Sequence, residues 1–194
     1  MSVFFTRRGK AGTRGPTFVD YLESTGTQHI DTLYHVTQNT VVECDFQFTE
    51  VSGNTFIFRV VTPDYGFGWN SSAGVFKSYG RNSPTLSSKF SATGRHTLKK
   101  YGTKCIFDDS EITTAQHSAV PNYTLPIFAY NNEGTIASRC KARLYSFRIY
   151  ESDVLVRDFR PCYDPDGIAC LYDEVEKKYY YNQGSGEFIA GAAA

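Results

Sequence analysis

Residues 143–191 read RLYSFRIYESDVLVRDFRPCYDPDGIACLYDEVEKKYYYNQGSGEFIAG. Two alternating apolar runs open the stretch, Leu144-Tyr145-Ser146-Phe147-Arg148-Ile149-Tyr150 and Val154-Leu155-Val156-Arg157-Asp158-Phe159. Side chains along a strand point to opposite faces in turn, so each run offers one apolar face to a core. The polar link Glu151-Ser152-Asp153 is short enough to make the pair a β-hairpin. A Pro-Cys-Tyr corner, a Pro165-Asp166-Gly167 turn, a short strand to Tyr172 and a Gly184-Ser185-Gly186 turn complete it.

The same punctuation runs upstream. Val41 to Phe48 alternates cleanly, with Val42, Cys44, Phe46 and Phe48 on one face. Further strand-like runs follow at Thr55–Val60, Tyr65–Trp69, Val75–Tyr79 and Arg95–Lys100, and a turn at Tyr101-Gly102 leads into Lys104–Phe107. About a dozen such runs, with turn signals every ~8–12 residues and no long helical periodicity, mean an all-β sandwich or barrel. Val42, Cys44, Phe46, Phe48, Tyr145, Phe147 and Ile149 are expected to point inward. The 29 Tyr and Phe, against one Trp and one Met, suit pleated, half-buried strands.

The closing stretch resembles the last strands of the concanavalin A-like (LamG-like) jelly-roll domains of phage and prophage virion proteins, whose pattern runs roughly "lYsfkIy…lvRdfiPc…dGv.GlYD…fy.N.gtG.f". Tyr21 to Thr32, YLESTGTQHIDT, is similar to that family's opening "YieSsGtQyIdT", and Pro126–Asn131 to its "ifa.n". The start, MSVFFTRRGK, resembles the "FFlRRgk" of other short prophage structural proteins. The resemblance implies a jelly roll of two antiparallel sheets over residues 17–191, with a tail at 192–194. Ahead of it lies an extended basic arm and Gly-rich linker at 1–16. It also implies a virion surface protein, tail-associated or a capsid decoration, made in the host cytoplasm and displayed on the particle. Its expected activity is adhesion to host-surface or mucus glycans. Because this sandwich hosts lectins, glycosidases and plain structural modules alike, fold alone does not choose among them. A purely structural decoration protein without ligand and a bacterial carbohydrate-binding module stay open beside the lectin reading.

Composition narrows the partners. Net charge is zero, yet residues 1–16 hold Arg7, Arg8, Lys10 and Arg14 with no acid, leaving −4 on the remainder. A slightly acidic body gives no reason to expect nucleic-acid binding. No apolar run is long enough for a membrane-spanning helix, and the first residues lack the apolar core and cleavage site of a signal peptide. Phe4 and Phe5 with Arg7 and Arg8 form an apolar hook and basic stretch suited to docking on other virion proteins. Monomer and homo-oligomer both remain open. The five cysteines form no CxxC pair and have no His at zinc-ligand spacing, so they are expected as buried reduced thiols.

No catalytic or metal site is expected, and no cofactor. Glycosidases on this fold place two glutamates and an aspartate on one strand face, and a retaining pair must sit about 5–5.5 Å apart. Glu43-Cys44-Asp45-Phe46-Gln47 supplies the first two carboxylates, but Gln47 holds the third place and an amide cannot protonate a leaving oxygen. The four histidines are scattered, and His96 reads as a partly buried, hydrogen-bonded residue rather than a base. Asp108-Asp109, Asp164 and Asp166 are loop acids, without a DxDxDG calcium loop. Sugar recognition needs flat aromatic faces with amides and carboxylates. Tyr65, Trp69, Asn70 and Tyr79 offer that mixture, with Tyr101, Tyr130, Asn131 and Asn132 able to complete a patch. The same spacing puts Tyr65, Phe67 and Trp69 on one strand face, which fits a core stripe equally well.

Overall fold

A computed structural model describes residues 15–61, 64–80, 82–115 and 122–194. The proposed docking residues Phe4, Phe5, Arg7 and Arg8 lie outside the described residues. The first half of the chain forms β1 (Thr17–Phe18), β2 (Leu22–Thr25), β3 (Ile30–Asp31), β4 (Thr40–Glu50), β5 (Thr55–Val61), β6 (Tyr65–Asn70), β7 (Val75–Tyr79), β8 (Arg95–Lys100) and β9 (Lys104–Phe107). The second half adds β10 (Ser110–Thr113), β11 (Pro126–Ile127), β12 (Tyr130–Asn132), β13 (Thr135–Ala137) and β14 (Lys141–Glu151). It ends with β15 (Val154–Tyr163), β16 (Ala169–Asp173), β17 (Lys178–Tyr180) and β18 (Ile189–Ala190). These eighteen strands exceed the expected dozen because seven of them are only two or three residues long. No helix occurs among the described residues.

The larger sheet has eleven strands, ordered β10-β9-β8-β4-β14-β15-β16-β17, with β1 on β15 and β2 joining β14 to β18. The smaller runs β13-β12-β5-β6-β7, and β3 pairs β11. The two sheets pack face to face as a sandwich. Phe46 meets Phe67 at 6.2 Å between ring centroids, and Phe58 meets Phe147 at 5.5 Å. One pairing departs from the antiparallel expectation: β12 runs parallel to β5, which the long chain between them permits.

Val42, Cys44, Phe46, Phe48, Phe147 and Ile149 are buried between the sheets, as their alternation requires. Tyr145 is not. The register of β14 against β4 shifts between Leu144 and Ser146, so Leu144 and Phe147 both turn inward across a three-residue interval. This β-bulge puts Tyr145 on the outer face. There its ring lies 3.6 Å from the Arg95 guanidinium carbon, and its hydroxyl donates to Gln47 Oε1 at 3.2 Å. All five cysteines are buried and unbridged.

A lysine lies between the sheets. Lys100 continues the inward face of His96 and Leu98 and is buried. Its Nζ donates to Ser78 Oγ at 2.9 Å and stands 4.8 Å from the Tyr65 ring centroid. Burial lowers the ammonium pKa from 10.5 to about 8.

The opening and closing stretches of the chain close on each other. Gln28 is buried, and its Oε1 accepts from the Thr25 N–H at 2.8 Å and the Ser24 hydroxyl at 3.2 Å. Its Nε2 donates to the Glu187 carbonyl at 2.8 Å. Ser185 N–H donates to the Thr27 carbonyl at 3.1 Å, and β18 zips onto β2. The alanines read as a tail are part of the pairing: Asp20 N–H donates to the Ala192 carbonyl and Ala194 N–H to the Phe18 carbonyl.

The β14–β15 turn contains only Ser152 and Asp153, at φ 49° and 66°. Positive φ at both central residues defines a type I′ turn, whose twist matches the flanking strands but which favours Asn-Gly. Asp at the second position carries strain that glycine lacks. Asp153→Gly is expected to raise stability by about 0.5–1 kcal/mol. Urea midpoints of the two chains at equal slope measure this directly.

Candidate functional site

Three connections meet at one end of the larger sheet: the residues before β4, the β8–β9 turn and the type I′ turn. Between them lies a hollow of about 390 Å³, lined chiefly by Gln38, Asn39, Tyr101, Gly102, Ser152 and Asp153. Antiparallel register brings them together, since Thr40 pairs with Glu151 and Val42 with Lys100. The floor is fixed by hydrogen bonds. Glu151 accepts from the Tyr34 hydroxyl at 2.6 Å and from the Thr37 hydroxyl at 2.7 Å, while Ser152 N–H donates to the Asn39 carbonyl. Burial, reinforced by the Glu151 contact, pushes the Tyr34 hydroxyl up to about 12, so it stays a donor at neutral pH. Tyr101 N–H donates to the Lys104 carbonyl at 2.8 Å and Thr114 Oγ1 to the Gly102 carbonyl at 3.1 Å, which set the opposite wall.

The rim is polar and carries one aromatic face. Asp153 is exposed and makes no ion pair among the described residues. Lys99 and Lys104 place their Nζ atoms 5.5 and 5.1 Å from the Tyr101 ring centroid. An amide, a carboxylate, hydroxyls and a ring around an open hollow are groups that hydrogen-bond a polyol and stack on its C–H face. The hollow is far from where the chain enters the domain. Thr17 pairs with Tyr163 at the other end of β15, whose ten residues span about 30 Å.

The sequence-based patch divides three ways. Tyr65, Trp69 and Asn131 are structural. Tyr65 is 1% exposed, and its hydroxyl donates to the Lys100 carbonyl at 3.0 Å. Trp69 packs edge-on against Phe76 at 5.3 Å. Asn131 is buried and orders the turn after it, accepting from Gly134 N–H at 2.8 Å. The shared face of β6 is the inner one, because the outer side has no room. A Cβ on Gly66 would meet Arg59 Cβ at 2.6 Å, and one on Gly68 would meet the Thr55 carbonyl at 2.1 Å.

Tyr79 and Tyr130 do come together, on the outer face of the smaller sheet, each about 5 Å from Phe56 between ring centroids. Arg59 fills the space between them, 4.1 Å from the Tyr79 centroid and 5.6 Å from that of Tyr130, with Asp64 accepting both arms of its fork. Asn132 is exposed at the edge of this face, and Asn70 accepts from Ala73 N–H to order the β6–β7 turn. Tyr101 alone of the eight lines the loop-end hollow. Gln38 and Asn39 escaped sequence reasoning, and Asp153 entered it only as part of the hairpin's polar link.

Other candidate chemistry is committed elsewhere. Glu43 pairs with Lys99 at 2.6 Å and accepts from the Tyr150 hydroxyl at 3.0 Å. Asp45 takes both arms of Arg95, and Gln47 Nε2 donates to the Thr93 carbonyl. His96 is buried, with Nδ1 2.8 Å from Asp108 Oδ2 and Nε2 2.7 Å from the Ser91 carbonyl. Asp164 accepts from the N–H groups of Ile168 and Asp166 and from the Tyr181 hydroxyl. Burial opposes ionisation of Asp164, but these bonds outweigh it and hold the carboxyl below its ordinary value. Among the described residues no three His, Cys, Asp or Glu side chains converge as a metal site.

A second concavity of about 570 Å³ lies at the chain-entering end, lined by Tyr163, Ile168, Tyr181, Asn182 and Glu187 among others. Its rim is more apolar, with Ile168 53% and Tyr181 42% exposed. The chain matches no protein-family model, no curated protein and no solved structure.

Proposed function

We propose that this chain is a surface protein of a phage or prophage particle, on tail or capsid, whose lectin-like jelly roll adheres to host-surface or mucus glycans. The loop-end hollow is the binding site and residues 1–16 are the attachment to other virion proteins. The carrying observation is the hollow itself: Tyr101, Asn39 and Asp153 surround a floor tied down by Glu151, at the end of the sandwich remote from Thr17. A domain held by its N-terminal arm turns that end outward. A single shallow site binds weakly, and many copies on one particle make weak binding useful. On this reading the domain binds without turnover, which the amide of Gln47 in the place of the second glutamate supports.

The test is a glycan array on the purified chain, followed by titration of the best ligand. Tyr101→Ala is expected to weaken that ligand about tenfold or more, equal to about 1.4 kcal/mol. Asp153→Gly should weaken it similarly while stabilising the fold, so lost binding cannot be ascribed to unfolding. A second reading, a structural decoration protein without ligand, is favoured by the exposed Ile168 and Tyr181 near the chain-entering end. An empty array, with Ile168→Asp abolishing incorporation into particles, would select it.

A further inference from the structure

We propose that Cys162 and Cys170 are a covalent modification site, a dithiol that closes to a disulfide with a disulfide oxidant such as oxidised glutathione. The two residues face each other across β15 and β16, and their sulfurs are 3.7 Å apart. The pairing class is set by their neighbours. Asp164 N–H donates to the Ile168 carbonyl, while Pro161, opposite Leu171, has no N–H to give. Cys162 and Cys170 therefore occupy a hydrogen-bonded pair, with Cα atoms about 5.5 Å apart. That separation lies within the Cα range seen for disulfides, and the bridge forms by side-chain rotation together with a local approach of the two strands, since Cβ atoms across a hydrogen-bonded pair start about 1 Å farther apart than a bridge holds them. Both side chains are fully buried, and neither belongs to the packed core between the sheets.

The reaction balances without metal or further cofactor. One cysteine, as thiolate, attacks a sulfur of oxidised glutathione and releases the first glutathione thiolate. The second cysteine, as thiolate, attacks the resulting mixed disulfide at the protein sulfur and releases the other. The protein loses two protons and two electrons, and the oxidant leaves as two reduced glutathiones. The mutual thiol contact, then burial and the Asp164 charge, push the Cys170 thiol far above its ordinary value. Both sulfurs are closed off from a solution oxidant, so exchange proceeds through opening of β16 from β15 and the dithiol persists until then. The bridge ties the Asp164–Ile168 turn, whose residues Gly167 and Ile168 wall the larger concavity. The inference stands apart from the glycan reading.

The experiment equilibrates the full chain through unfolding and refolding in graded mixtures of reduced and oxidised glutathione, then alkylates free thiols and maps disulfides by mass spectrometry. The expected product joins Cys162 to Cys170, with Cys44, Cys105 and Cys140 still alkylated. It should form at an oxidant level roughly ten- to a hundredfold lower than for the same chain kept in urea, because the fold holds the pair in place. Cys162→Ser and Cys170→Ala should each abolish it, and either one alone suffices if the other fails to fold. Bridges to other cysteines, glutathione adducts without a bridge, or no advantage over the chain in urea would overturn the proposal.

Discussion

Replacing Gly184 with alanine is expected to cost about 3 kcal/mol or more, which in a chain of this size lowers the melting temperature by roughly 6–12 °C. A Cβ built there would stand 2.0 Å from the Thr27 carbonyl oxygen, 3.0 Å from its carbon and 3.1 Å from Gln28 Cα. All three are backbone atoms and cannot swing aside. The two segments must separate, breaking the Ser185–Thr27 and Gln28–Glu187 bonds and stripping partners from the buried Gln28 amide. Gly167 is the control. It has φ +83° but open space around its missing Cβ, so Gly167→Ala meets backbone strain alone, about 1–2 kcal/mol. Thermal melts that rank the two variants equally would remove the close approach at Gly184 from the account of stability.

Lys100→Met is expected to act in the opposite direction, stabilising the chain at pH 7 by roughly 3 kcal/mol. The folded pKa of about 8 lies below the unfolded 10.5, so between those values the unfolded chain binds more protons and stability rises with pH. Below about pH 8 both states carry the ammonium, and the fold bears the whole cost of burying it, at about 1.4 kcal/mol per pH unit of the gap. Methionine has a similar shape and no charge. The advantage of the variant should be constant below about pH 7, shrink through pH 8–10.5 and vanish above. Taking the difference between two chains cancels the tyrosines and cysteines that titrate in the same range. A difference that stays level from pH 7 to 10.5 would show that Lys100 is not buried as charged.

The strand faces were legible wherever alternation ran unbroken. Val42 to Phe48 and Phe147 to Ile149 turn inward because each second residue must. Tyr145 broke the rule through a bulge, which inserts a residue without any mark in the local sequence. The glycines at 66 and 68 were visible, but their meaning depends on Arg59 and Thr55 in the neighbouring strand, which the segment alone does not bring near. The loop-end hollow was the least legible feature. Gln38, Tyr101 and Asp153 come from three distant segments and meet only through the register of β4, β8 and β14. The short motifs of the two ends promised function and delivered closure: Gln28 and the glycines at 184 and 186 serve the fold.

That closure bears on how the protein is made. The Thr27 hydroxyl bonds to the Ser185 carbonyl across 158 residues of chain. Ribosomes add about 5–20 residues per second, so β2 waits on the order of ten to thirty seconds for the strand that seals it. Until Ile189 and Ala190 emerge, one edge of β2 is open to any other strand in the cell. A nascent chain interrupted before Gly184 therefore keeps an unsealed edge and is exposed to proteolysis and aggregation. Sealing by the late segment makes translation through that segment a condition of completing the larger sheet.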